Sequence, residues 1–249
     1  MTITILTLFP GLFGGFLTSS ILARAIGRGL IAVTPIDIRD YAAGRHRVCD
    51  DAAYGGGPGM VMKPEPIVAA LEATGSVGRR VVYMTPAGRL YTQALAAELA
   101  RETDLVLLCG RYEGVDQRVI DTFVTDEISI GDYVLSGGEV AAMVIVDSIA
   151  RLLPGAITGE SLEEESFASG LLEYPHYTRP EVFRGVGVPE VLLSGHHEKI
   201  RQWRLTKSVE KTMKLRPELL KGDSLPVEAR ALIGKMRREG VDNERTQGN

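Results

Sequence analysis

Apolar positions in the first part of the chain switch repeatedly between two spacings. Thr2 to Thr7 (TITILT) and Ile31 to Arg39 (IAVTPIDIR) read as strands, and the segment from Ser20 to Gly29 between them reads as a helix ending in glycine. Pro64 to Thr74 predicts a second helix, because Ile67, Val68 and Leu71 recur at helical spacing and Gly75 follows as a stop. A β-branched run at Val81 to Met84 precedes a helix through Thr92 to Arg101. A continuous apolar run, Leu105 to Cys109, predicts a buried strand, followed by a helix near Asp116 to Phe123 and a short strand at Glu127 to Ile130. Glu139 to Leu153 predicts the last helix of this part, ended by Pro154-Gly155. Strands alternating with helices imply an α/β fold with a mostly parallel sheet covered on both faces.

Gly155 to Leu172 breaks that rhythm. It is rich in Gly, Ser and Glu, lacks an apolar period, and reads as a linker. Beyond it the pattern is helical, with Glu198 to Leu215 the clearest segment and Val227 to Arg238 the second. The expected organisation is an α/β domain over 1–158, a flexible linker over 159–172 and a smaller all-helical domain over 173–249.

Composition narrows the class. Hydrophobic residues make up 45% and charged residues 24% of the 249, which suits a globular chain and excludes a disordered one. The longest apolar stretch, Val140 to Leu153, is interrupted by Asp147, Ser148 and Arg151, and falls short of the roughly 20 residues that cross a bilayer. No Lys or Arg precedes the N-terminal apolar run, so no secretory signal is expected. Two cysteines, Cys49 and Cys109, are too few for a disulfide framework or a Cys-based zinc site, and suit a reducing cytoplasm.

Charge is distributed unevenly. The whole chain carries −4, yet the first part, to Leu172, holds 13 basic and 21 acidic residues, whereas the remainder holds 15 and 11. Lys199 to Arg216 contains seven basic residues against one acid, Glu210. Such a stripe either solvates a helix face or neutralises phosphates along a nucleic-acid backbone.

Ligands of open α/β sheets sit beyond the carboxyl ends of the strands, and three expected strand ends carry turn-forming residues. Val81 to Met84 runs into Thr85-Pro86-Ala87-Gly88, Leu105 to Cys109 into Gly110-Arg111-Tyr112-Glu113-Gly114, and Ile128-Ser129-Ile130 into Gly131-Asp132-Tyr133-Val134-Leu135-Ser136-Gly137-Gly138. Glycine allows close backbone approach, and three such ends together favour a site for a polar small molecule. Phosphate-loop, dinucleotide and nucleophile-elbow motifs are absent, and Gly55 to Gly59 lacks the Lys-Ser/Thr pair of a phosphate loop. The histidines lack zinc spacing, and His196 or His197 reads as a cap for the following helix.

These residues resemble the bacterial tRNA (guanine-N1)-methyltransferases of the knotted SPOUT superfamily. The resemblance is carried by LTLFPGLF from Leu6, DDAAYGGGPGMVMKPEPI from Asp50, CGRYEGVDQR from Cys109, SIGDYVLSGGE from Ser129, PHYTRPEVFRG from Pro175 and LLSGHHEKIRQWR from Leu192, in that order along nearly the whole chain. It implies methyl transfer from S-adenosylmethionine to N1 of guanosine 37 of tRNA, beside the anticodon. It also implies a deep trefoil knot, which pattern reasoning does not reach, and a cytoplasmic homodimer with composite active sites. Its implied partner is tRNA, with no membrane and no resident metal site; magnesium is left open.

By matching positions, the cofactor would contact Tyr83, Met84, Thr85, Pro86, Gly110, Tyr112, Glu113, Ile130, Gly131, Asp132, Tyr133, Val134, Leu135, Gly137 and Gly138. Arg151 matches the family's catalytic arginine, and Glu165 stands where the family usually has an aspartate acting as general base. Outside the resemblance, Arg151 suits a helix end and Glu163 to Glu165 keep a linker soluble. Arg201, Arg204 and Lys207 are the expected tRNA contacts. Rival readings are a knotted ribose 2′-O-methyltransferase and a tRNA-binding module without catalysis.

Overall fold

The computed structural model describes residues 1–157, 165–221 and 225–247, with side chains to residue 238. The chain divides into two compact units, Met1–Thr158 and Gly159–Asn249.

In the first unit, β1 (Thr2–Thr7), β2 (Ala32–Asp37), β5 (Val81–Leu90), β6 (Asp104–Cys109) and β7 (Asp126–Ser129) form one sheet in the order β2-β1-β6-β5-β7. Every pairing in it is parallel. The helices are α1 (Gly14–Leu17), α2 (Ser20–Gly27), α3 (Pro64–Ala73), α4 (Gln93–Leu99), α5 (Gln117–Phe123) and α6 (Glu139–Leu152). A two-stranded antiparallel ribbon, β3 (Asp50–Ala52) with β4 (Met60–Met62), brackets the glycine-rich segment.

Both faces of the sheet are buried, which is why β6 is apolar at five successive positions. Side chains alternate across a strand. Leu105, Leu107 and Cys109 face one core with Ile3, Ile5, Val82 and Met84, against residues of α2, α4 and α6. Val106 and Leu108 face the other with Leu6, Val81 and Tyr83, against residues of α3 and α5. Each Leu, Ile or Val so buried contributes about 1.5–3 kcal/mol, so a parallel sheet of such strands holds only if helices cover both sides.

The turn predicted at residues 85–88 is an outward arch within a longer strand. Met84 and Arg89 both pair with Ile128, so β5 leaves the ladder, returns to the same partner and continues to Leu90. Connections run β5 to β6, its neighbour, and then β6 to β7 across β5. The carboxyl ends of β6, β5 and β7, three neighbours at one side of the sheet, therefore lie next to one another.

The second unit holds α7 (Glu190–Leu193), α8 (His197–Leu215) and α9 (Val227–Gln247). Its core joins Leu171, Val209, Leu225, Ala229 and Ile233. The expectation of a purely helical part is corrected by a hairpin, β8 (Val182–Phe183) with β9 (Val186–Gly187). Arg184 and Gly185 between them have φ of 52° and 81°, the positive values that two-residue hairpin turns require. Of the expected linker, residues 159–164 lie outside the described residues. From Glu165 onward the chain is tied to α8, with the Leu172 amide donating to Thr212 Oγ1 at 2.8 Å.

Candidate active site

The three glycine-bearing strand ends form one cleft of about 240 Å³. The arch of β5 supplies Tyr83, Met84, Thr85 and Pro86, and the turn after β6 supplies Gly110, Tyr112 and Glu113. The loop after β7 supplies Ile130, Gly131, Tyr133, Val134, Leu135, Gly137 and Gly138. Asp132 alone of the fifteen sequence-predicted contacts stays off the lining, and its side chain is exposed. Arg111, Gly114, Ile128, Ser129, Ser136 and Ala141 also line the cleft, beyond the contacts that the sequence motifs imply.

Backbone crowding explains the glycines. A Cβ on Gly138 would lie 2.9 Å from Cys109 Cα and 3.1 Å from the Gly110 nitrogen. One on Gly110 would lie 2.8 Å from the Tyr83 ring, which is 6% exposed beneath it. The Gly138 amide donates to the Gly110 carbonyl at 2.9 Å, joining two of the three loops. Burial pushes the Tyr83 phenol above its ordinary value, and burial together with the Asp50 carboxylate does the same for Tyr112.

The remaining candidates sit elsewhere. Arg151 occupies the last turn of α6 and is half-buried, outside the cleft lining. Glu165 belongs to the second unit, where its carbonyl accepts the Ala168 amide at 3.2 Å. Glu163 and Glu164 lie outside the described residues. On α8, Arg201 pairs with Glu198 and Glu228 at 2.9 and 2.6 Å, and Lys207 with Glu210 at 2.7 Å. The Arg204 guanidinium lies 4.8 Å from the Tyr174 ring centroid. His196 takes the N-cap position of α8, as expected, but makes no side-chain cap bond there; its amide donates to Ser194 Oγ at 3.2 Å. Among the described residues, no His/Cys/Asp/Glu group fits a metal and no helix is long and apolar enough to cross a membrane.

Residues 1–222 match the family described as tRNA (Guanine-1)-methyltransferase TrmD. The chain belongs to this family. It is 56% identical over 242 residues to the tRNA (guanine-N(1)-)-methyltransferase of Pelotomaculum thermopropionicum, covering 95% of this chain and 96% of the relative. The same-named protein of Geotalea uraniireducens is 54% identical over 241 residues, 96% and 98% of the two chains. That of Treponema denticola is 54% identical over 220 residues, 88% and 90%. The match therefore takes in both compact units, and the cleft lies within it.

Proposed function

We propose that this protein methylates N1 of guanosine 37 in tRNA, using S-adenosylmethionine bound in the cleft. The observation that carries the reading is the convergence of the three predicted strand ends on one cavity. Its fit to the cofactor rests on its chemistry. Met84, Ile130, Val134, Leu135 and Ala141 offer apolar wall for a purine ring, while exposed loop backbone offers donors and acceptors for its edge. Gly110 and Gly138 keep the cradle open where a Cβ would collide with its floor. When bound, the sulfonium group supplies an activated methyl.

The protein's own tasks are then positioning and proton removal. Guanine N1 carries a proton at neutral pH, and Glu165 is the carboxylate proposed to accept it. Arg151 donates to O6, where negative charge develops as that proton leaves. Glu165 acts in the site of a second copy of the chain, which makes the protein a homodimer with composite sites. The loop that returns from β7 across the end of β6 supports a trefoil knot, because the Gly138–Gly110 bond draws it over that strand end. The α/β unit over 1–158, the linker over 159–172 and a tRNA-binding part over 173–249 divide these tasks. The setting is the cytoplasm.

The test is mass spectrometry of nucleosides from tRNA incubated with the protein and S-adenosylmethionine. 1-Methylguanosine is the expected product; a 2′-O-methylated nucleoside would overturn the reading. Sedimentation showing a fully active monomer would overturn the composite site.

A further inference from the structure

Arg111 directs its guanidinium away from solvent into a cluster that the proposed reaction leaves unused. Nε donates to Glu139 Oε1 at 3.2 Å, and Nη2 lies 2.9 Å from Glu139 Oε2, so one edge of the fork grips the carboxylate. The other arm, Nη1, donates to the Ser136 carbonyl at 3.1 Å. The guanidinium carbon lies 4.4 Å from the centroid of the Phe9 ring. The Glu139 side chain is 1% exposed, so its charge is compensated inside the protein or not at all.

Glu139 is itself held from two sides. It is the first residue of α6, where the helix dipole favours an anion. Thr7 at the end of β1 donates its hydroxyl to Oε1 at 2.8 Å. That hydroxyl also accepts the Phe9 amide at 2.9 Å, and its single proton points to the carboxylate. Glu139 is thus anchored to a strand and a helix, and Arg111 carries that anchorage to the loop over 131–138.

The end of the loop is tied by the Gly138 amide to the Gly110 carbonyl, and its middle needs a tie of its own. Tyr133 bonds back within it, by its amide to the Gly131 carbonyl and by its hydroxyl to the Ile130 carbonyl, at 2.9 and 3.1 Å. Val134 is 86% exposed. Ser136, by contrast, is gripped from outside by Arg111. The neighbouring Gly137 completes the fit: a Cβ there would lie 2.3 Å from Arg111 Nε, so glycine lets the guanidinium lie against the loop backbone.

We infer that Arg111 is a positioning residue, clamped by Glu139 and Thr7, that holds the 131–138 loop in the form that receives the cofactor. This rests on the cofactor reading given above. A buried ion pair is weak support for stability, since apolar residues of equal volume serve as well. A planar fork, however, donates to a carboxylate oxygen and a carbonyl at fixed angles at once while its charge faces the other carboxylate oxygen, and a lysine ammonium does not. The arrangement therefore preorganises the loop, sparing the cofactor the cost of ordering it.

The test uses Arg111→Lys, which keeps a positive charge beside Glu139 but loses the fork. In the full-length protein without cofactor, amide exchange at Tyr133 and Gly138 should quicken. Calorimetry should show S-adenosylmethionine bound about 10-fold more weakly, as expected when a preordered loop must be ordered on binding. KM for the cofactor should rise alongside while kcat at saturation holds. Unchanged exchange with unchanged affinity overturns the proposal, and so does a lowered melting temperature with unchanged affinity. If the lysine variant does not fold, Gly137→Ala, which displaces the guanidinium and keeps both charges, should quicken the same amide exchange without cofactor, and unchanged exchange there overturns the proposal. If the unmodified protein fails to bind S-adenosylmethionine, the cofactor reading falls, and the exchange rates still decide whether Arg111 holds the loop.

Discussion

Gly138 stands against Cys109 so closely that a Cβ on the glycine would lie 2.9 Å from the cysteine Cα. The Gly138 backbone is ordinary, with φ −77° and ψ −10°, so glycine is required there by contact and not by dihedral angle. Backbone atoms of β6 cannot yield, and the loop after β7 must move instead. Overpacking of this kind costs about 1–3 kcal/mol, and taken from binding that is on the order of 10-fold or more. Gly138→Val, and even Gly138→Ala, should therefore lose S-adenosylmethionine affinity while remaining folded. Calorimetry finding normal affinity in a folded variant would remove this loop from the site.

The basic stripe on α8 is partly neutralised within the protein. Arg201 and Lys207 are held by glutamates, and the guanidinium of Arg204 packs over Tyr174. Exposed pairs of this type contribute about 0–1 kcal/mol, so phosphates compete readily for the cations. Replacing Arg201, Arg204 and Lys207 together by neutral residues should weaken tRNA binding and reduce its dependence on salt, because fewer counterions are released. Cofactor affinity should hold. Equal loss of both would point to misfolding and sink the assignment.

Glu165 carries the proposed proton transfer. Glu165→Gln keeps size and loses basicity, so methyl transfer should fall by about 10²-fold or more with cofactor binding intact. Glu165→Asp keeps the carboxylate and should keep substantial activity. Single-turnover rates decide it: a Gln variant near full rate, with Glu164→Gln impaired, moves the base to Glu164.

At the opposite end of the sheet, Arg80 grips Asp126 through Nε and Nη2 at 2.9 and 2.8 Å. The Arg80 guanidinium, helped by the Thr125 hydroxyl and Arg89, holds the Asp126 carboxyl below its ordinary value. A carboxyl depressed on folding adds stability that is complete above its unfolded value and is lost as pH falls toward the folded one. Denaturant midpoints should thus decline below about pH 4. Arg80→Met should be less stable at neutral pH and lose less on acidification; parallel curves for the two proteins would contradict this.

Much of the site was legible in the chain because it depends on local chemistry. Apolar runs gave β1 and β6, helical spacing gave α3 and α6, and glycines marked the ends of β5, β6 and β7. The Lys207–Glu210 pair is three residues apart on one helix and follows from spacing alone. Other features escaped because their partners are distant or their residues uncharacteristic. The ribbon of β3 and β4 flanks a run of glycines that reads as loop, and β5 continues past its arch only because Arg89 finds Ile128 again. Arg201 reaches Glu228 across 27 residues, and Thr7 reaches Glu139 across 132.

What the sequence alone determined is the set of elements, their order and the chemistry at their ends, since period and turn residues act within a few positions. That three of those ends share one cleft, and that Arg111 turns inward to a buried carboxylate, follows from the packing of the whole chain. Sheet order and the meeting of Thr7, Arg111 and Glu139 follow from burying both faces of the sheet at once, a condition on the whole chain that no local pattern records.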